Sequence, residues 1–419
     1  MKILLLCYAV SPYRGSEYSV AWNHISSISK NNKVTVIYGT SGDHLGDDKD
    51  LPEYLSKNSF ENVDFHFVRP KRLTKVLNYF NANGFLPYTF YFAYKQWHKN
   101  VFSYVTKELD LESFDIIHYQ SPIGYREPGY LWKLDKPYVW GPIGGANNID
   151  MRLLPLLSSS GKFKQIFRGI INRLQLRYSF RLKQALKNTN VLLTATTENR
   201  DAFMKWHKVN SFYLPENGTM GKYQGHLKNH DINNKIKLIW IGRIDASKGL
   251  KLLIDAFELV NDKDLFEINI IGDGPMAEYL QRYSQKKGLN KYFLWNGLIK
   301  RSKVHEMLSS SDLHIITSVS EANTTVLLEA IQQGVPTMTL DHCGMRDTVR
   351  HDSGIKIKIE KYSDLTKSLA HSLDEIASGK ILLNDFGAGV EQSFYSLHWE
   401  SRTKFFQYVY EKAVKDWKA

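Results

Sequence analysis

The sequence predicts an α/β protein built from two doubly wound domains, each a parallel sheet covered by helices. Three observations carry this. Short aliphatic and β-branched runs alternate with longer helical stretches, as parallel βαβ units require. The runs are apolar almost throughout, the signature of strands buried on both faces. The pattern stops at the polar stretch Met220–Lys235, which holds two Asn-rich clusters and no periodicity, and then restarts.

In the first half the strand-like runs are Ile3–Tyr8, Lys33–Tyr38, Val63–Val68, Asp115–His118, Tyr138–Trp140, Val191–Ala195 and Phe212–Leu214. In the second they are Ile236–Ile241, Phe266–Ile271, Tyr292–Trp295, Leu313–Thr317, Pro336–Leu340 and Gly354–Ile359. The expected organisation is an N-terminal domain over 1–218, a linker over 219–235 and a C-terminal domain over 236–395. A last helix over 396–419 is expected to pack back toward the N-terminal domain. Two such domains leave a central cleft, and ligands bind outside the carboxyl ends of the strands. The loops that follow strands are therefore where chemistry is sought.

Composition narrows the classes. The chain has 419 residues, 43% hydrophobic and 23% charged, which fits a folded protein of two or three domains. Cys7 and Cys343 form no disulfide framework or metal-thiolate spacing, which favours a reducing compartment. The opening MKILLLCYAV reads as a buried strand, because no small-residue cleavage pattern follows. No run of 18 apolar residues exists. The expected location is the cytoplasm, including peripherally on the cytoplasmic face of the membrane. Charge is uneven: residues 1–215 hold 28 Lys and Arg against 17 Asp and Glu, while 216–419 hold 27 against 26. A basic first half admits an anionic membrane, a phosphate-bearing acceptor or nucleic acid as partner.

The second half has the most informative loops. GRIDASKG, Gly242–Gly249, sets Arg243 and Lys248 in a glycine-flanked turn before a helix, where a planar fork and a mobile point charge suit a diphosphate. An exposed charged loop with a capping role is the alternative. Gly272 lies in IGDGP, a strand-to-helix turn that lets a backbone approach a nucleotide closely but lacks a dinucleotide fingerprint. In SEANTTVLLEAIQQGVP, Ser320–Pro336, Thr324 or Thr325 can cap a new helix whose free amides attract phosphate. Glu329 then falls in the second turn, where its carboxylate can accept from both hydroxyls of a ribose. Its apolar neighbours argue against a merely solvated residue, since a carboxylate there is costly unless paired. Glu321, one loop away, can address sugar hydroxyls.

In the first half, Gly15, Ser16 and Glu17 open a helix after the first strand, a start that favours an anion. His118 leaves the fourth strand, in a structural or a catalytic role. Gly144 and Gly145 lie in the bare loop WGPIGGANN, which could line a sugar or acceptor pocket together with Glu17.

GRIDASKG, the Glu321–Glu329 pair with seven residues between, and LPENG (Leu214–Gly218) resemble the family 4 glycosyltransferases. The resemblance covers most of the chain and is strongest over 236–345. It implies the GT-B fold and retaining transfer from a nucleoside-diphosphate sugar to a saccharide or lipid-linked glycan. The setting it suggests is bacterial cell-surface polysaccharide synthesis, such as O-antigen, capsule or exopolysaccharide. By resemblance, Arg243 and Lys248 hold the donor diphosphate, with Gly242 and Gly272 in the same donor site. Glu329 holds the ribose and Glu321 contacts the transferred sugar. Gly15 approaches the phosphate from the N-terminal domain, and His118 sits beside the reacting sugar. Two departures stand out. Glu321-Ala322-Asn323-Thr324 replaces a common Glu-Gly-Phe-Gly, which turns attention to Asn323 for sugar choice. Gly15-Ser16 replaces a common Gly-Gly pair.

No cofactor or metal is expected: Asp48–Asp50 and Asp262–Asp264 read D-K-D, but in polar stretches. From Met151 to Thr197 there are nine Lys and Arg and no acid, with Phe163, Ile166, Phe167, Ile170, Ile171 and Leu174 at helical spacing. With RPKRLTK (Arg69–Lys75) and the aromatic stretch after it, this suits an anionic inner-membrane surface. A core-packing helix with a solvated basic face is the alternative. A GT-B sugar-nucleotide epimerase and a non-catalytic binder are the rival functions. No nucleic-acid motif appears.

Overall fold

A computed structural model describes residues 1–15, 17–40, 49–86, 89–122, 124–225 and 235–418. The chain forms two compact units. The first comprises Met1–Asn147, Asn172–Glu216 and Trp399–Ala419, and the second Asn148–Ile171 and Asn217–His398. The first unit thus gives up 148–171 and takes in the last helix.

The first unit holds a seven-stranded parallel sheet in the order β3-β2-β1-β4-β5-β6-β7. Its strands are β1 (Lys2–Cys7), β2 (Lys33–Gly39), β3 (Val63–Val68), β4 (Ile116–Ser121), β5 (Tyr138–Ile143), β6 (Val191–Thr194) and β7 (Phe212–Tyr213). Side chains alternate across it. Ile3, Leu5 and Cys7 meet one layer of helices, Glu17–Ile28 and Trp399–Lys418, which contribute Ile25, Phe406, Val409 and Tyr410. Leu4, Leu6 and Tyr8 point the other way, to Tyr94 and Trp97 of the Phe90–Glu108 helix. Both faces are dry, which is why these strands read as continuous apolar runs. β4 and β5 each run three residues further than the sequence indicated, so Gly141 lies inside a strand rather than in a loop.

The second unit holds a six-stranded parallel sheet in the order β10-β9-β8-β11-β12-β13. The strands are β8 (Ile236–Ile241), β9 (Phe266–Ile271), β10 (Phe293–Gly297), β11 (Leu313–Ile316), β12 (Thr337–Leu340) and β13 (Gly354–Ile357). Leu238, Trp240, Ile268 and Ile315 pack under Leu253 and Leu369 of the Leu250–Glu258 and Tyr362–Ala377 helices. Ile239 and Ile271 face the opposite layer with Ala330 and Leu308. Each sheet reverses its strand order once, between β1 and β4 and between β8 and β11, and such switch points are where ligand crevices open.

The Ser159–Tyr178 helix carries the apolar stripe expected over 163–174, but turns it to solvent: Phe163 is 73% and Phe167 58% exposed, while Asn172 and Leu176 are buried. The core-packing alternative for this stripe therefore fails. Among the described residues, no helix is long and apolar enough to cross a membrane.

Candidate active site

The loops after β8 and β11 flank the switch point of the second unit, and hydrogen bonds join them. Val319 N donates to Ser247 O at 2.8 Å, and Thr317 Oγ1 donates to Lys248 O at 3.1 Å. Asp245 holds the turn by accepting from Ser247 N at 2.9 Å. This geometry carries Lys248 to Glu321, and the two form an ion pair. Arg243 stays 71% exposed, its Nε 3.5 Å from Asp245 Oδ2. Two cations thus stand at the carboxyl end of β8, each beside a carboxylate, Arg243 the more exposed of the two.

Gly272 brings the next loop against the first. Its φ is +133°, and a Cβ there would collide with Gly242 O, so any side chain would push the loops apart. Its glycine is explained by loop packing, with no ligand needed. Gly344 does the same for the loop after β11: it lies against Ala322 O, and its N–H donates to Glu321 O at 3.0 Å.

The helix after that loop runs Thr325–Gln332 with Thr324 at its N-cap. Thr324 makes no side-chain cap bond, and its carbonyl accepts from Leu327 N at 3.1 Å. Glu329 is buried in the second turn, as the spacing predicts. The partner that makes its burial tolerable was not evident in the sequence. Arg301 reaches Glu329 Oε1 at 2.8 Å through Nε and at 2.6 Å through a terminal nitrogen, and His305 Nε2 lies 3.4 Å from the same oxygen. Arg301 and His305 are four apart on the Arg301–Ser310 helix and so share a face. That spacing was the available signal. Between Glu321 and Thr324, both amide atoms of Asn323 are buried without a hydrogen-bond partner. Buried amides are normally satisfied, and an orphaned one marks a place for a missing polar group.

In the first unit, a Cβ on Gly15 would meet nothing within 4 Å among the described residues. Ser16 lies outside the described residues. Glu17 begins the Glu17–Ile28 helix, and burial pushes its carboxyl above the ordinary range. Gly144 O accepts from Tyr125 N at 3.3 Å, and Gly145 adopts φ +82°. His118 requires a correction. It does not leave its strand, which continues to Ser121, and it is wholly buried. One ring nitrogen bonds the Tyr410 hydroxyl at 2.9 Å and the other the Gly141 carbonyl at 2.7 Å. Burial lowers its pKa to about 4. With both nitrogens engaged inside the core, His118 is a structural residue and cannot contact a sugar.

Residues 225–392 match the family model described as Glycosyl transferases group 1. Over these 168 of its 419 residues the chain is similar to that family. All the second-unit residues above fall in the matched span. The chain is 23% identical over 364 residues to protein CapJ of Staphylococcus aureus, covering 84% of this chain and 81% of CapJ. Among solved structures it is similar to the lipopolysaccharide outer core galactosyltransferase WaaB, with a TM-score of 0.66 at 15% identity over 97% of this chain and 98% of that one. It is also similar to Anabaena HepE in complex with UDP, with a TM-score of 0.60 at 14% identity over 98% and 99%. At these identities the structural likeness establishes the fold, which is GT-B: two Rossmann-like units in one chain.

Proposed function

We propose that this protein is a glycosyltransferase that moves a sugar, with retention of configuration, from a nucleoside-diphosphate sugar to a saccharide or lipid-linked glycan of the bacterial cell surface. The observation that carries the reading is the placement of Lys248 and Glu321 on the two loops flanking the β8/β11 switch point, with Glu329 in the helix that follows the second loop. Arrival of the donor exchanges partners. The diphosphate takes Lys248 and Arg243, which frees Glu321 for the hydroxyls of the sugar. Glu329, steadied by Arg301, accepts from the ribose. The Asn323 amide meets the sugar and contributes to its selection. As the glycosidic bond breaks, negative charge grows on the leaving phosphate, and the two cations stabilise it. The same phosphate oxygen accepts the proton of the attacking hydroxyl, so no separate base is needed.

WaaB, by its title a lipopolysaccharide outer core galactosyltransferase, supports a cell-surface acceptor, and the UDP bound to HepE makes uridine donors the first to test. The exposed stripe of the Ser159–Tyr178 helix, with its basic residues, supports work at the cytoplasmic face of an anionic membrane. The decisive test presents a panel of UDP- and GDP-sugars in the presence of EDTA. One donor is expected to raise the melting temperature, since a ligand at about 100 times its Kd stabilises by roughly 2.7 kcal/mol. Transfer is expected to persist under chelation. Failure of every donor to bind would sink the reading, and isomerised donor without acceptor would select the epimerase.

Arg301→Ala is expected to raise the KM for donor about tenfold with kcat little changed, the loss of a charge-assisted bond that orders Glu329 before the reaction. Steady-state kinetics at saturating acceptor check this. An unchanged KM would mean that Glu329 needs no such support.

A further inference from the structure

We propose that residues 72–86 form a wedge that enters the surface of an anionic phospholipid bilayer. The proposal rests on the membrane-face reading above and names the element that makes the contact. The segment contains the short helices Arg72–Leu77 and Tyr79–Ala82, followed by a turn in which Phe85 N donates to Phe80 O at 2.9 Å. Its polarity is inverted. Beside the half-buried Leu77, the fully buried side chains are polar: Thr74, Asn78 and Asn81. They bond among themselves and to the helix behind, with Asn81 Nδ2 donating to Asn78 Oδ1 at 3.0 Å and Asn100 Nδ2 to Thr74 Oγ1 at 3.3 Å. Asn81 N donates to Thr89 Oγ1 at 3.1 Å, which ties down the far end.

The side chains turned outward are apolar. Leu73, Val76, Tyr79, Phe80, Phe85 and Leu86 are all at least half exposed, Val76 at 68% and Phe85 at 75%. In water the favoured arrangement is the reverse, because burying an amide and exposing a phenyl ring both oppose folding. An apolar medium outside the protein makes both choices favourable. A contiguous exposed apolar patch of this kind marks an interaction site.

Charge selects the medium. From residue 65 to 107 there are seven Lys and Arg and no Asp or Glu. Four of them, Arg69, Lys71, Arg72 and Lys75, stand immediately before the aromatic tip. Cations at the base with aromatic and aliphatic side chains at the tip are the arrangement that anchors surface-bound segments to anionic lipid. Tyrosine belongs at the headgroup level of such an interface. The two helices are far too short to span a bilayer, so the wedge lies in its surface.

The test uses the full chain, in which Cys7 and Cys343 are buried and leave an introduced cysteine as the site for a polarity-sensitive dye. Phe85→Cys and, separately, Phe167→Cys are labelled and mixed with vesicles of equimolar phosphatidylglycerol and phosphatidylcholine, or of phosphatidylcholine alone. The dye at 85 is expected to shift to the blue and to be quenched by acyl-chain spin labels only with the anionic vesicles. Lys71→Glu combined with Arg72→Glu is expected to weaken vesicle binding about tenfold or more. A dye at 85 that stays in water while the one at 167 is quenched overturns the wedge and leaves the membrane reading standing. Silence at both sites overturns both. A shift at 85 that grows with protein concentration without vesicles makes a second copy of the chain the occupant and overturns the wedge.

Discussion

Lys248→Ala is expected to lower transfer by roughly 10²–10³-fold or more, the scale on which a single group that stabilises developing negative charge contributes. Two effects act in the same direction. The ammonium no longer meets the departing diphosphate. The Glu321 carboxylate, which Lys248 now neutralises, is left facing a ligand of its own sign. Folding stability should barely change. The pair lies near the surface, with side chains 29% and 19% exposed, and such pairs contribute about 0–1 kcal/mol. Measuring kcat/KM beside the melting temperature separates the two. A thousandfold loss with an unmoved melting temperature is the expected result, and near-normal turnover would remove Lys248 from the donor site.

Acid should destabilise the first unit before the second. His98 and His118 are buried there uncharged, with pKa values lowered by burial to about 3 and about 4, and His24 is lowered by burial as well. His314 alone among these lies in the second unit, lowered by burial to about 3. The sign follows from linkage. Between the unfolded value of about 6.5 and these folded values, the unfolded chain binds protons that the native protein refuses. Stability is therefore complete above about pH 6.5 and falls as the pH drops toward 4. Each histidine removes up to about 1.4 kcal/mol per pH unit, so His118 alone accounts for about 3 kcal/mol across its window. Denaturant titrations followed by hydrogen exchange at several pH values would resolve the units. A first unit as acid-resistant as the second would contradict the burial of these imidazoles. His118→Asn should flatten the slope by about one proton.

The strands were legible where both faces of a sheet are dry, so β1 and β6 appear as nearly unbroken apolar runs with little else to confuse them. The loop that carries Lys248 was legible for a related reason: glycines bracket it at a strand end, where open sheets hold their ligands, whereas the glycine-free Glu321 loop stood out by the strand before it and by the helix that Thr324 opens after it. Features that depend on a distant partner were hidden. His118 resembled a strand-end ligand because its flanks are apolar on one side only, and Tyr410, which occupies its ring, lies 292 residues away. Arg301 sat in an ordinary charged helix until the fold brought Glu329 beneath it. The inverted segment 72–86 was invisible for the same reason. A short stretch mixing asparagine and phenylalanine does not reveal which of them faces inward.

The bond between His118 and Tyr410 also sets a timetable for biosynthesis. A ribosome adding about 5–20 residues per second delivers Tyr410 roughly 15–60 s after His118. Through that interval the sheet of the first unit lacks Phe406, Val409 and Tyr410, and one apolar face is incompletely covered. The second unit, continuous from Asn217 to His398 apart from its 148–171 segment, is fully translated while the first is still waiting. The nascent chain is thus most exposed to chaperones and to aggregation in its N-terminal half. Expression of residues 1–216 as an isolated fragment would make that transient condition permanent.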